Sequence, residues 1–238
     1  MDKSRRDFLK VGASAAAFTI LPRKVFGKMG GDNNFVAPSD QITKGIIGCG
    51  GIGNSSNHFK SDNHYRLVAL CDVDAAHLAK TVARAKSKFN EDVAQYHDFR
   101  ELIHDPNVDV VHIATPPHWH GLMAVEAADA GKDILIEKPV GLTSEEAEEI
   151  AAYCDKKGVK LGVGFMMRFH AYHQKMKEIV QSGAIGDVVS ARAQLTCWYP
   201  EMENCWRQDM KLSGGGAMMD MGVHCVDLIR YITGMDVK

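Results

Sequence analysis

No pair among the six cysteines of this 238-residue sequence has the C-x-x-C spacing of a zinc ribbon, and nothing in their placement suggests a disulfide scaffold. No His/Cys cluster has metal-ligand spacing either, so no metal is expected. The small and apolar stretch at residues 11–21 falls short of the roughly 20 residues that a bilayer-spanning helix needs. Neither charge dominates, with 28 Lys+Arg against 30 Asp+Glu. Six of those bases and two of the acids fall in the first 27 residues, which leaves 22 bases against 28 acids in the body. A net-acidic body argues against nucleic acid and anionic lipid as partners. What is present, 45% hydrophobic and 24% charged residues, is the make-up of a soluble globular protein. The length allows one large domain, or one full domain with a small or incomplete second one.

Residues 4–10, Ser-Arg-Arg-Asp-Phe-Leu-Lys, run into the apolar stretch and resemble a twin-arginine export signal, an address read by a receptor. Residues 1–27 are thus expected to be a signal peptide for the twin-arginine translocase, and residues 28–40, rich in Gly, Asn and Asp, a flexible linker to a periplasmic protein. No cysteine follows the apolar run, so no stable membrane anchoring is expected. Export in the folded state means that the cysteines meet a reducing cytoplasm first, which argues against obligatory disulfides.

From Gln41 the pattern becomes regular. A β-rich run, 42–47, ends in Gly48-Cys49-Gly50-Gly51-Ile52-Gly53, which is G-x-G-x-x-G at Gly48, Gly50 and Gly53. Gly48 permits a tight turn, Gly50 admits backbone to a pyrophosphate, and Gly53 lets the next helix approach the sheet, with Gly51 and Ile52 completing the loop. The second strand, 66–71, ends at Asp72, where a carboxylate can accept ribose hydroxyls and would repel a 2′-phosphate, favouring NAD over NADP. Asp74 beside it equally suits a helix N-cap. Helices are expected at 75–88, 98–104 and 118–130, and from a capping box at Thr143-x-x-Glu146 to 157. Strands are expected at 108–114, closing at Thr115-Pro116-Pro117, at 133–136, closing at Glu137-Lys138-Pro139, and at 160–165, with 89–96 read as a polar linker. This alternation specifies an α/β fold, a Rossmann doubly wound parallel sheet over residues 41–164. Ligands of such sheets lie beyond the carboxyl ends of the strands, where the glycine loop, Thr115, Pro116, Glu137 and Lys138 fall.

In their order and spacing, the glycine loop, Thr115-Pro116, Glu137-Lys138-Pro139, Gly214-Gly215-Gly216 and Asp220-x-x-x-His224-x-x-Asp227 resemble the glucose-fructose oxidoreductase/inositol dehydrogenase (Gfo/Idh/MocA) family, from Ile42 to Gly234. The resemblance implies a second half built on an open mixed sheet, and NAD(P)-dependent oxidation or reduction of sugars and cyclitols. Relatives continue with several more strands. Residues 165–238 are therefore expected to be the start of an α+β substrate-binding domain, incomplete as given, and homo-oligomers are expected of the full-length form.

Residues 217–232 have helical apolar spacing, which puts Asp220 and His224 on one face and Asp227 near the same stripe. A carbinol that loses hydride must also lose its hydroxyl proton. Histidine titrates in the useful range, a carboxylate one turn away can orient it, and Lys138 can donate to the same oxygen. By resemblance, Lys138, Asp220 and His224 match the family's catalytic positions; taken alone, an Asp and a His at helical spacing are more often a surface ion pair. Asp227 stays open between structure and function. His120 lines the nicotinamide site, caps a helix or faces solvent. Arg168, just after a strand, reaches cofactor or substrate, or bridges the halves by a salt bridge. Trp198, near the end of a strand-like run at 188–199, and Trp206-Arg207 suit a sugar ring with a forked donor beside it, or are ordinary core. The leading expectation is an exported oxidoreductase that moves hydride between a sugar or cyclitol hydroxyl and nicotinamide, with His224 as acid/base. An NAD-dependent glycosidase and a non-catalytic nucleotide or sugar binder are the alternatives.

Overall fold

Short runs of Val, Ile and Leu, each stopped by Gly, Asp or Pro, build the sheet of this computed structural model, which describes residues 40–55, 64–203 and 205–236. The expected leader, 1–27, and all but the last residue of the linker lie outside the described residues, as do residues 56–63 beyond the glycine loop. Six strands, β1 (Ile42–Ile47), β2 (Tyr65–Cys71), β3 (Ala94–Tyr96), β4 (Val110–Ile113), β5 (Asp133–Ile136) and β6 (Leu161–Val163), pair in the order β3-β2-β1-β4-β5-β6. Every pairing is parallel. Strands covered on both faces read as continuous apolar runs, and Ile46, Ile47, Val111, Ile113 and Ile136 are buried to within 2%. The chain direction of the order reverses between β1 and β4, which opens a crevice at their carboxyl ends.

Four helices cover the sheet. The helix α1 (Ala75–Phe89) starts on Asp74, whose carboxylate accepts the Ala76 and His77 amides, and stops at Asn90 in the left-handed conformation, φ 55°. The Asp74 N-cap alternative is thus realised. Helices α2 (Phe99–Ile103), α3 (His120–Asp129) and α4 (Ser144–Lys157) pack on the opposite face, where Leu102, Met123 and Ile150 join the strand residues Ile47, Val111 and Ile134. Leu78 and Ala85 of α1 cover Ile46, Leu67 and Leu70 on the first face. At the start of α4, Thr143 Oγ1 accepts the Glu146 amide, while Glu146 reaches the Leu142 amide, one residue earlier than a capping box has it.

Two expectations are corrected. Residues 94–96, read as linker, form β3, whose three residues Ala94-Gln95-Tyr96 include none that is buried, so no apolar run marks it. The strand expected at 188–199 does not form. Those residues carry no regular secondary structure, because a strand needs a neighbour for its amides and carbonyls and none is offered among the described residues. The mixed sheet expected of the second half is therefore not seen there. Beyond β6 come a 3₁₀ turn (Met166–Phe169), α5 (Ala171–Gln181), α6 (Met210–Ser213), a π turn (Met218–Gly222) and α7 (Val223–Thr233). Gln41–Lys238 groups as one compact unit, and no helix among the described residues is long and apolar enough to cross a membrane.

Candidate active site

A cleft of about 640 Å³ lies beyond the carboxyl ends of the central strands. Its floor is the glycine loop after β1. A Cβ on Gly48, whose φ is +96°, would lie 2.7 Å from the Ala114 carbonyl oxygen, and one on Gly53 would lie 1.6 Å from the Gly48 carbonyl oxygen. Neither position tolerates a side chain. Gly50 has nothing within 4 Å of where its Cβ would stand, so there the backbone borders open space. Gly51 and Ile52 line the cleft with it.

Asp72, at the end of β2, braces this loop. Its Oδ2 accepts the Cys49 amide at 2.7 Å and its Oδ1 accepts the Asp74 amide at 2.8 Å. Each oxygen keeps a second lone pair, and the residue borders the cleft. The thiols of Cys49 and Cys71 are pushed up to about 12, by burial first and by neighbouring negative charge second. They stay protonated and offer no nucleophile at neutral pH.

At the other end, Thr115 and Pro116 close β4, and Glu137 and Lys138 close β5; all four line the cleft. His112 Nε2 stands 3.2 Å from Glu137 Oε1, and the Lys138–Pro139 peptide bond is cis. The Lys138 ammonium donates to Asp220 twice, to Oδ1 at 2.6 Å and to the main-chain carbonyl at 2.5 Å. Arg207 Nη1 donates to both carboxylate oxygens at 3.1 Å, its guanidinium lying 4.7 Å from the Trp206 ring centre. Burial pushes the Asp220 carboxyl up, but the Lys138 ammonium and then the Arg207 guanidinium outweigh it, so the group titrates below the usual carboxylate range.

The helix expected at 217–232 is interrupted where it matters. Asp220 sits in the π turn, where the Val223 amide reaches back to the Met218 carbonyl, and the Lys138 ammonium enters this widened turn to meet the Asp220 carbonyl. His224, at the start of α7, is 4% exposed and stands behind the cleft wall, its ring edge-on to Phe165 at 6.1 Å. Its Nδ1 is buried without a hydrogen-bond partner. Burial and then the Lys138 charge lower its pKa, against the pull of Asp220, Asp227 and Glu137, so the imidazole is held neutral at pH 7.

Other expected contacts fall elsewhere. Arg168 does not line the cleft; it grips both carboxylate oxygens of Asp227, with Nε at 3.0 and 2.9 Å and Nη2 closer still, a salt bridge within the second half and not the expected bridge between the halves. That fork is what holds Asp227, on α7. Trp198, 88% exposed, is absent from the lining because no strand directs it inward. His120 is not exposed to solvent as one alternative had it: its backbone caps the Pro117–Trp119 turn, and its ring is buried between the ends of β4 and β5, outside the cleft lining. Trp206 and Arg207 do border the cleft, as do Ser213 and Met219, which only their position around Gly214-Gly215-Gly216 could have marked. No cluster of metal-ligating side chains occurs among the described residues.

Residues 42–165 match the family described as an oxidoreductase family with an NAD-binding Rossmann fold, and residues 173–238 match the GFO/IDH/MocA C-terminal domain. The sequence is 37% identical over 200 residues to an uncharacterized oxidoreductase, YrbE, of Bacillus subtilis, covering 83% of this chain and 55% of that protein. It is 32% identical to a myo-inositol 2-dehydrogenase of Thermotoga maritima over 195 residues, 82% of this chain and 55% of that one. The crystal structure of scyllo-inositol dehydrogenase from Lactobacillus casei with bound NAD(H) and scyllo-inositol has a TM-score of 0.63 and 26% identity, over 82% of this chain and 56% of that one. The chain spans about half the length of the curated relatives it matches.

Proposed function

Because the chain belongs to the GFO/IDH/MocA oxidoreductase family, we propose that it is an NAD-dependent oxidoreductase moving hydride between a sugar or cyclitol hydroxyl and nicotinamide. The observation that carries this is the Lys138–Asp220 contact at the rim of the cleft that the glycine loop floors. The residues present fit a dinucleotide. Gly50 leaves room for a pyrophosphate, Asp72 has free lone pairs for ribose hydroxyls, and Thr115, Pro116 and Glu137 border the far end. When bound, nicotinamide supplies the hydride acceptor or donor. The Asp72 carboxylate favours NAD, since a 2′-phosphate there would face a negative charge.

The chain's own residues manage the proton. Lys138 holds three N–H donors, and two are engaged by Asp220, so the third is free to donate to a substrate hydroxyl oxygen and stabilise developing negative charge. Asp220, kept ionised by its two cations, fixes that ammonium in place. His224, neutral at pH 7, takes up the proton as acid/base in this reading, which requires its ring, now behind the cleft wall, to meet the substrate oxygen beside Lys138 and Asp220. Trp206 offers a flat apolar face to a ring, with the Arg207 guanidinium beside it. Incubation of the full chain with NAD and a panel of cyclitols and aldoses should yield NADH and the ketone. Release of free sugar from a glycoside without net NADH would instead make it an NAD-dependent glycosidase, and saturable binding without turnover a binder. His224→Ala should lower turnover about 10²- to 10⁴-fold with dinucleotide affinity almost unchanged. Export to the periplasm belongs to the same proposal and rests on residues 4–10; replacing Arg5 and Arg6 by Lys should keep a fused reporter in the cytoplasm.

A further inference from the structure

The helix α3 begins at His120, directly after the 3₁₀ turn Pro117–Trp119. The ring is 1% exposed. Its Nδ1 stands 2.8 Å from the carbonyl oxygen of Pro139 and its Nε2 2.9 Å from the carbonyl oxygen of Thr115, with the Val140 backbone close by as a further acceptor. Thr115 closes β4, and Pro139 follows Lys138 at the close of β5. One imidazole therefore spans two adjacent strand ends, each of which presents a residue to the cleft.

A carbonyl oxygen only accepts. A neutral imidazole has one N–H and one lone pair, so it satisfies one of the two carbonyls and turns a lone pair on the other; an imidazolium donates to both. We propose that His120 is a positioning residue that ties the end of β4 to the end of β5 and so sets where Lys138 stands relative to Thr115, with two bonds when the ring is protonated and one when it is neutral. Only the consequence for turnover rests on the functional reading given above; the clasp itself is a matter of geometry.

Glu137 is the charge that acts on the ring, and other titratable groups stand on the neighbouring elements. Glu137 lies at the end of β5, paired with His112 of β4. Glu146, on the first turn of α4, has Oε1 2.7 Å from where a Cβ on Gly121 would stand, one residue along from the ring. His118, in the preceding turn, has Nδ1 3.3 Å from the Leu212 carbonyl oxygen. Burial draws the His120 pKa below the ordinary value, while the carbonyls of Thr115, Pro139 and Val140 and the charge of Glu137 pull it back. The ring is therefore neutral at pH 7 with one bond, and acidification closes the second.

The test follows the ring nitrogens of the full chain by ¹⁵N–¹H NMR across a pH titration, with His120 assigned by its absence in His120→Gln. Lys138 is followed by its side-chain ¹³Cε and ¹⁵Nζ signals in protein labelled with isotopic lysine, assigned with Lys138→Arg. Both His120 nitrogens should carry slowly exchanging protons in acid and only one near neutrality, and the Lys138 signal should shift with the same midpoint. His224 also titrates beside Lys138, so the component with His120's midpoint must vanish in His120→Gln while the other stays. A Lys138 signal flat across the His120 titration, or an inflection that survives in His120→Gln, would overturn the proposal. Should His120→Gln fail to fold, His120→Asn supplies the same assignment, and triple-resonance assignment of the wild-type ring allows its midpoint to be compared with those of Lys138 and His224 directly. Failure to oxidise any sugar or cyclitol would sink the functional reading and leave these spectra unaffected.

Discussion

Asp220 and His224 are four residues apart, yet their environments set them to opposite tasks. Asp220 is flanked by Lys138 and Arg207 and stays charged, whereas His224 is buried within reach of the same Lys138 charge and stays neutral. Lys138→Met removes the second-largest influence on His224, leaving burial, so the His224 midpoint should move up, as read from its ring proton resonances against pH. A midpoint that stays or falls would show that Lys138 does not act on this ring. The sign for stability follows. A histidine whose folded pKa lies below its unfolded value, about 6.5, leaves the native state fully favoured above that value and costs stability as pH falls through it. In Lys138→Met this particular acid loss should shrink. Lys138, Asp220 and His224 were legible in the sequence because a resemblance carried them. The Arg207 grip on Asp220 was not, since Arg207 lies in an isolated 3₁₀ turn, Trp206–Gln208, whose approach to Asp220 no periodicity dictates.

Among the elements, the glycine loop separates two kinds of constraint that a motif merges. Gly53→Ala would put a methyl group 1.6 Å from the Gly48 carbonyl oxygen, so backbone must shift, at a cost of roughly 1–3 kcal/mol, and the loop would lose its shape for a pyrophosphate. Gly50→Ala meets nothing within 4 Å. It should leave the unfolding midpoint in urea unchanged and weaken NAD in a fluorescence titration, because its methyl takes up the space that the backbone leaves for phosphate. Equal loss of stability in both variants would mean that the loop answers to packing alone. Parallel strands such as β1, β4 and β5 were readable from apolar runs, and α1 and α4 from their caps. The three-residue β3 was not, and neither was the π turn, which inserts one extra residue per turn without changing the apolar spacing enough to announce itself.

Across the whole molecule, burial is uneven, and this decides where it opens first. The fully buried side chains come overwhelmingly from the sheet and from α1 to α4, while Val189, Trp198, Phe169 and Tyr172 are each at least 75% exposed. Few buried contacts hold α5 to α7; the Lys138–Asp220 pair and the His118–Leu212 contact are polar ties to the sheet half, while the Arg168–Asp227 fork lies within the second half itself. Free energies of local opening follow buried apolar contact, so residues 187–200, without ladder or helix hydrogen bonds, form the least stable stretch. Limited proteolysis of the full chain should cut there first, and mass spectrometry should find a surviving fragment that contains residues 41–164. Arg168→Met leaves the Asp227 side chain, 8% exposed, without its cation, and should speed cleavage on both sides of α7 with little effect on the sheet. If residues 187–200 resist protease as long as β1 to β6 do, then something covers them in solution, and the unevenness seen in the isolated chain does not describe the protein at work.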